Sequence, residues 1–148
     1  MLGVLPWVLT LALSLALAWH PGAASAASAT ITASDRTAIR RVIADQFAAF
    51  KRHDARAAFA HAAPAIQELF GNPESFMLMV QHDYPPIYHP KSFTFGELEL
   101  VGGEFTQNVT VVGADGSAVS AFYLMARQND GSWRILGCIL VPAEKTVI

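Results

Sequence analysis

His82, Asp83 and Tyr84 stand side by side in the chain, and Tyr88 and His89 follow shortly after. No other stretch gathers titratable side chains so densely. Proton abstraction beside a carbonyl needs a base and a group that polarises the carbonyl oxygen. The run contains both types, with Asp83 as base and His82 or Tyr84 as the polarising group. On that reading the protein is a cofactor-independent lyase or isomerase. Consecutive helical residues point about 100° apart, however, and only Asp83 continues the apolar face of Phe76, Met79 and Val80. The opposing expectation is that polar residues ending a helix before a proline turn are solvated or cap it.

Gln46 is a different kind of candidate. Ile39, Val42, Ile43, Phe47 and Phe50 recur at helical spacing, and Gln46 falls within that stripe. A buried amide without a partner costs about 1 to 3 kcal/mol, so Gln46 must bond a backbone carbonyl, a water or a ligand. Other chemistries find less support. His53, His61, His82 and His89 lack the spacing of paired metal ligands and are expected to face solvent, so no metal and no cofactor is expected. Cys138 is the single cysteine, cannot form a disulfide within the chain, and sits in an apolar segment as a core residue. Ten basic and twelve acidic residues are interspersed in sign along the chain. No basic face results, which excludes nucleic acid as a partner.

The elements that must position these side chains begin after an uncharged start. The first 19 residues hold no Lys, Arg, Asp or Glu; Val8 to Ala18 is almost wholly apolar; and Ala24-Ser25-Ala26 has the small-x-small pattern of a signal-peptidase site. Residues 1–26 therefore read as a cleavable signal peptide, 27–33 as a short tether, and 34–148 as a single α+β domain. The apolar run is shorter than the roughly 20 residues of a spanning helix and contains Pro6 nearby, so no stable membrane anchor is expected after cleavage. The protein is expected to be exported, to the periplasm or beyond the cell.

Ser34 reads as the cap of the first helix, with Asp35 in its first turn. Asp54 caps a second, Ala-rich helix through Ala63 that turns Ala58, Phe59 and Ala62 inward. Pro64 to Phe70 forms a third, stopped by Gly71, and Asn72-Pro73 starts a fourth through about His82. Its Phe76-Met77-Leu78-Met79-Val80 run predicts burial on more than one side, or the lining of a cavity. Tyr84 to Pro90 carries three prolines and reads as a stiff, non-helical connector. Thereafter the period is two, and Gly102-Gly103, Ala114-Asp115-Gly116 and Asn129-Asp130-Gly131 punctuate it. Four strands follow, Ser92 to Val101, Glu104 to Val112, Ser117 to Gln128 and Ser132 to Val141, as an antiparallel meander carrying the helices. The third is apolar on both faces, Phe122 and Leu124 on one, Tyr123 and Met125 on the other. A second copy is the expected cover, giving a homodimer through Tyr123 and Met125.

This order of elements, with Asp54-Ala55-Arg56-Ala57-Ala58-Phe59 and the terminal Asp130-Gly131-Ser132-Trp133-Arg134-Ile135, is similar to the nuclear-transport-factor-2-like, cystatin-like cone. More closely, Ala63-Pro64-Ala65-Ile66, Phe70-Gly71, Phe76 to Val80, Tyr84-Pro85-Pro86-Ile87-Tyr88 and Gly131 to Ile135 resemble an exported bacterial family of unknown function, of the domain of unknown function 4864 type. That family brings no functional residues with it. The cone implies N-terminal helices on a curved four-stranded antiparallel sheet, with a pocket between them. Gln46, Phe50, Phe76, Met79, Tyr84, Tyr88 and Trp133 are expected to line it. Cone enzymes use His, Asp and Tyr as acid, base and oxyanion donor, which keeps Asp83, His82 and Tyr84 as the catalytic candidates. The fold does not choose a function. The expectation is an exported protein that binds a small apolar ligand, or an exported protein partner, without catalysing a reaction. The alternatives are the lyase or isomerase above, and an interaction module whose cone is filled by Phe76, Met77 and Met79.

Overall fold

The computed structural model describes residues 30–143. The signal-peptide reading of residues 1–26 lies outside the described residues, as do the first residues of the tether. Among the described residues no helix is long and apolar enough to cross a membrane.

Five helices precede four strands: α1 (Ala33–Lys51), α2 (Ala55–Ala60), α3 (Pro64–Phe70), α4 (Pro73–Asp83), α5 (Pro85–Tyr88), β1 (Ser92–Val101), β2 (Glu104–Val112), β3 (Ala118–Arg127) and β4 (Trp133–Pro142). The strands form one antiparallel sheet in the order β1-β2-β3-β4. This is the α+β arrangement expected of helices followed by a meander.

The first helix begins two residues earlier than Ser34 predicts, because Thr32 and Asp35 close a reciprocal capping box. Thr32 Oγ1 accepts the Asp35 N–H at 3.0 Å, and the Asp35 carboxylate accepts both the Thr32 N–H at 3.1 Å and its hydroxyl at 2.7 Å. Those two bonds, with the Arg127 guanidinium nearby, hold the Asp35 carboxyl below its ordinary value of 3.8. A depressed carboxylate stabilises the fold above its unfolded-state value, and the contribution is lost as pH falls through the folded one. Replacing Thr32→Ala should cost about 1 kcal/mol at neutral pH. In thermal melts the gap between variant and parent should narrow once pH drops below 3.8; a gap independent of pH would separate the cap from Asp35.

Along α1, Ile39, Ile43, Phe47 and Phe50 are buried on one stripe. The stripe packs on the sheet face formed by Val109, Val111, Ala121, Tyr123 and Met125. Phe47 stacks on Phe93 at 4.4 Å and meets Tyr123 edge-on at 6.1 Å. Each such side chain removed from water contributes roughly 1.5 to 3 kcal/mol. Within α4 the burial is one-sided: Phe76, Met77 and Val80 are buried but Leu78 is 65% exposed, so of the two expectations for this run the cavity-lining one holds.

Two corrections follow from backbone chemistry. The connector contains a helical turn, α5, with Pro85 and Pro86 at its start. The first turn of a helix leaves its N–H groups unbonded anyway, so proline costs nothing there. The parity of β3 is also the reverse of the one that suggested a dimer. Tyr123 and Met125 are each 1% exposed and lie against the helices, whereas Phe122 and Leu124 are half-buried on the outer face. Tyr123 and Met125 therefore cannot form a contact between copies. The outer face instead carries Phe122 opposite Ile139 and Ser120 opposite Val141, with Ile139 56% exposed.

Two bulges curve the sheet. One lies between Phe95 and Leu98, where a Cβ on Gly96 would sit 2.6 Å from Asn108 Oδ1 and so displace that side chain. The fully buried Gln107 fills the bulge, its two Nε2 hydrogens shared among the carbonyls of Gly96, Glu97 and Asn108. The other lies in β4 beside Leu124 and Met125. There the loop after α2 docks on the strand in parallel, Ala63 N–H donating to Ile135 O and Ile135 N–H to His61 O, both at 2.8 Å.

Candidate functional site

A cavity of about 250 Å³ opens between the helices and the β4 side of the sheet. The amphipathic stripe of α1 supplies Gln46 and Phe50. Phe76, Met79 and Val80 of α4 supply one wall, and Ile66, Leu69 and Phe70 of α3 another. Tyr84 and Ile87 close it beside α5, while Tyr123, Ile135 and Cys138 form the sheet side. The third helix is a thin wall: it buries no residue fully, and Leu69 is 74% exposed at the mouth. Its anchor is Gln67, whose Nε2 donates at 3.1 Å to the carbonyls of Phe59 and Ala62.

The cavity therefore gathers Gln46, Phe50, Phe76, Met79 and Tyr84 from the expected lining. Gln46 is 4% exposed and donates Nε2–H to the Ala58 carbonyl at 3.1 Å, tying α1 to α2. A primary amide has a second N–H and an acceptor oxygen beyond that bond. Two expected residues lie elsewhere. Trp133 is buried at the far end of the sheet, edge-on to Phe105 at 4.9 Å and under the Arg127 guanidinium at 5.6 Å. Tyr88 turns toward the end of α1, its hydroxyl 2.6 Å from His53 Nδ1 and accepting Gln81 Nε2–H at 2.7 Å. His53 itself sits at the turn after α1 with a backbone φ of 55°.

The catalytic trio is not assembled. His82 and Asp83 pair with each other at 2.7 Å, with side chains 89% and 55% exposed, and neither lines the cavity. Tyr84 alone turns inward, donating its hydroxyl to the Cys138 carbonyl at 3.1 Å. The reason is geometric. Asp83 is the last residue of α4, where the helical face that Phe76 and Val80 bury has run out into solvent. Among the described histidines only His61 departs from the solvent-facing expectation: it is half-buried and burial lowers its pKa, whereas His53 and His89, their rings 5.7 Å apart beside Tyr88, are exposed.

Sequence reasoning missed the walls from α3 and the sheet, and among the missed residues Tyr123 and Cys138 are the polar ones. They are partners across β3 and β4, and with Tyr84 they form the polar part of the wall. Burial is the main cause that raises the Tyr123 phenol well above its ordinary 10, with the neighbouring Cys138 adding to it. Burial likewise raises Tyr84. The Cys138 thiol is pushed up to about 12, again by burial, against an opposing hydrogen bond from Tyr123. All three are neutral at physiological pH, and a thiol held neutral is a poor nucleophile. Among the described residues, the cavity is lined by no Asp, Glu, His, Lys or Arg. Such a wall can exclude water and offer hydrogen bonds, but it has no group poised to move a proton near pH 7.

Residues 32–148 match the family described as a domain of unknown function, DUF4864. The chain belongs to the DUF4864 family. The match begins at Thr32, the residue that caps the first helix of the cavity, and so spans every lining residue. Two solved structures share the fold of this DUF4864 chain. One is an NTF2-like protein of unknown function from Shewanella baltica OS155, 12% identical, with a TM-score of 0.54, covering 79% of this chain and all of that one. The other is a protein of unknown function with a cystatin-like fold from Nostoc punctiforme PCC 73102, 15% identical, with a TM-score of 0.50, covering 76% of this chain and 93% of that one. No curated protein matches the chain.

Proposed function

We propose that this DUF4864 protein is an exported, non-catalytic binding protein that takes a small apolar molecule into the cavity beneath α3 and α4. One observation carries the reading: the cavity remains open although fifteen residues, nearly all apolar, surround it. Apolar surface left facing water is costly, and a ligand that covers it recovers about 25 cal/mol per Å². The size is suitable, since a dry cavity of about 150 Å³ suffices for benzene. An interaction module with a filled cone is less well supported, because Phe76 and Met79 line the cavity without closing it. A lyase or isomerase is less well supported because Asp83 and His82 sit in solvent.

The test uses N-phenyl-1-naphthylamine, whose emission rises on entering an apolar site. The protein should bind it saturably. Leu69→Asp places a charge at the mouth, where the side chain is already 74% exposed, so folding should be unaffected while affinity falls about tenfold. Emission that stays flat across a titration with excess protein would end the ligand reading. Equal affinity in the variant would move the binding site away from α3.

A further inference from the structure

We infer that the ligand class of this cavity is an uncharged, largely apolar molecule of about ten non-hydrogen atoms carrying one hydrogen-bond-accepting oxygen, such as an alcohol, ketone or ester, held by the Tyr123 hydroxyl. The inference rests on the binding reading above and narrows it. Size follows by proportion: six carbons in about 150 Å³ scale to about ten atoms in 250 Å³.

Neutrality follows from the wall. Among the described residues no charged side chain lines the cavity, so a carboxylate or ammonium carried inside would shed its water without gaining a counter-charge. The acid–base groups nearest in sequence, His82 and Asp83, pair with each other outside. The sheet side is the hydrogen-bonding side. Tyr84 spends its hydrogen on the Cys138 carbonyl. Tyr123, 1% exposed, faces the Cys138 sulfur, and sulfur is a weak acceptor. A buried hydroxyl with so weak a partner gains by donating to an oxygen. A ligand oxygen entering on the sheet side meets that demand, while its chain runs along Phe76 and Met79 toward Leu69.

The experiment is displacement of N-phenyl-1-naphthylamine from the full mature chain by three molecules of equal chain length at pH 7: 1-octanol, octanoate and octylammonium. Octanol should displace the probe, and the two ions should need at least about tenfold higher concentration. Tyr123→Phe should weaken octanol about fivefold, the worth of one hydrogen bond, once its displacement is referred to the probe's own affinity measured on the same variant. Octanoate or octylammonium displacing as well as octanol overturns the inference while leaving the binding reading intact. Octanol affinity unchanged in Tyr123→Phe overturns the role of Tyr123. Failure of the probe to bind at all removes both readings. The comparison of the three competitors needs no variant, so it decides the ligand class even if Tyr123→Phe folds poorly.

Discussion

Tyr123→Asp is expected to yield no folded protein. Tyr123 is among the largest fully buried side chains, packed edge-on to Phe47 and flanked in its strand by Ala121 and Met125, both buried. An aspartate there removes the packing of an aromatic ring, about 3 to 5 kcal/mol. It also leaves a carboxylate without a cation, which costs several kcal/mol more. The sum rivals the whole stability of an ordinary domain, roughly 5 to 15 kcal/mol. The purified variant should lack near-ultraviolet circular dichroism, or be recovered only from the insoluble fraction. Tyr123→Phe, which keeps the ring, should fold with a loss of about 1 kcal/mol. A soluble, native-like monomer from Tyr123→Asp would instead restore the dimer surface that β3 suggests in isolation.

Phe50→Ala should have the next largest effect. Phe50 is 1% exposed and joins two structures at once. It packs against Phe76 at 6.4 Å and Tyr88 at 6.1 Å, and it forms part of the cavity wall. Truncation removes the transfer free energy of the ring and enlarges a space that is already partly empty, so the surroundings have little to collapse onto. The expected cost is about 3 to 5 kcal/mol, read as a lower urea midpoint with an unchanged slope. A cost under about 1 kcal/mol would mean that the end of α1 is not part of the cooperative core.

Much of this architecture is legible in the chain because local chemistry specifies it. Asp54 and Asn72 each accept a backbone N–H three residues on. Gly102, Gly103, Gly116 and Gly131 all adopt positive φ at the turns that separate the strands. The bounds of β1 and β2 fall where the alternation and its turn residues put them. Gln46 is likewise visible as the one amide in an apolar helical stripe, and the structure buries it at the cavity.

What the chain alone cannot convey is which way a doubly apolar strand faces. The period of two in β3 separates Tyr123 and Met125 from Phe122 and Leu124, yet both sets are hydrophobic, so local pattern is silent on which set meets the helices. The register against β2 decides it, pairing Tyr123 with the buried Gln107 and Met125 with Phe105. Cys138 joins the same face only because a bulge in β4 shifts the alternation by one residue between Ile135 and Gly137. Trp133 is apolar, aromatic and buried, but it stands at the start of β4, before the cavity-lining Ile135, and packs on Phe105 instead. Sequence by itself thus determined the first four helices, the turns, the strands and their order, since each rests on contacts within a few residues. Only the tertiary structure decided that Tyr123 and Cys138 line the cavity while His82 and Asp83 face water, because those outcomes depend on register, bulges and the end of a helix.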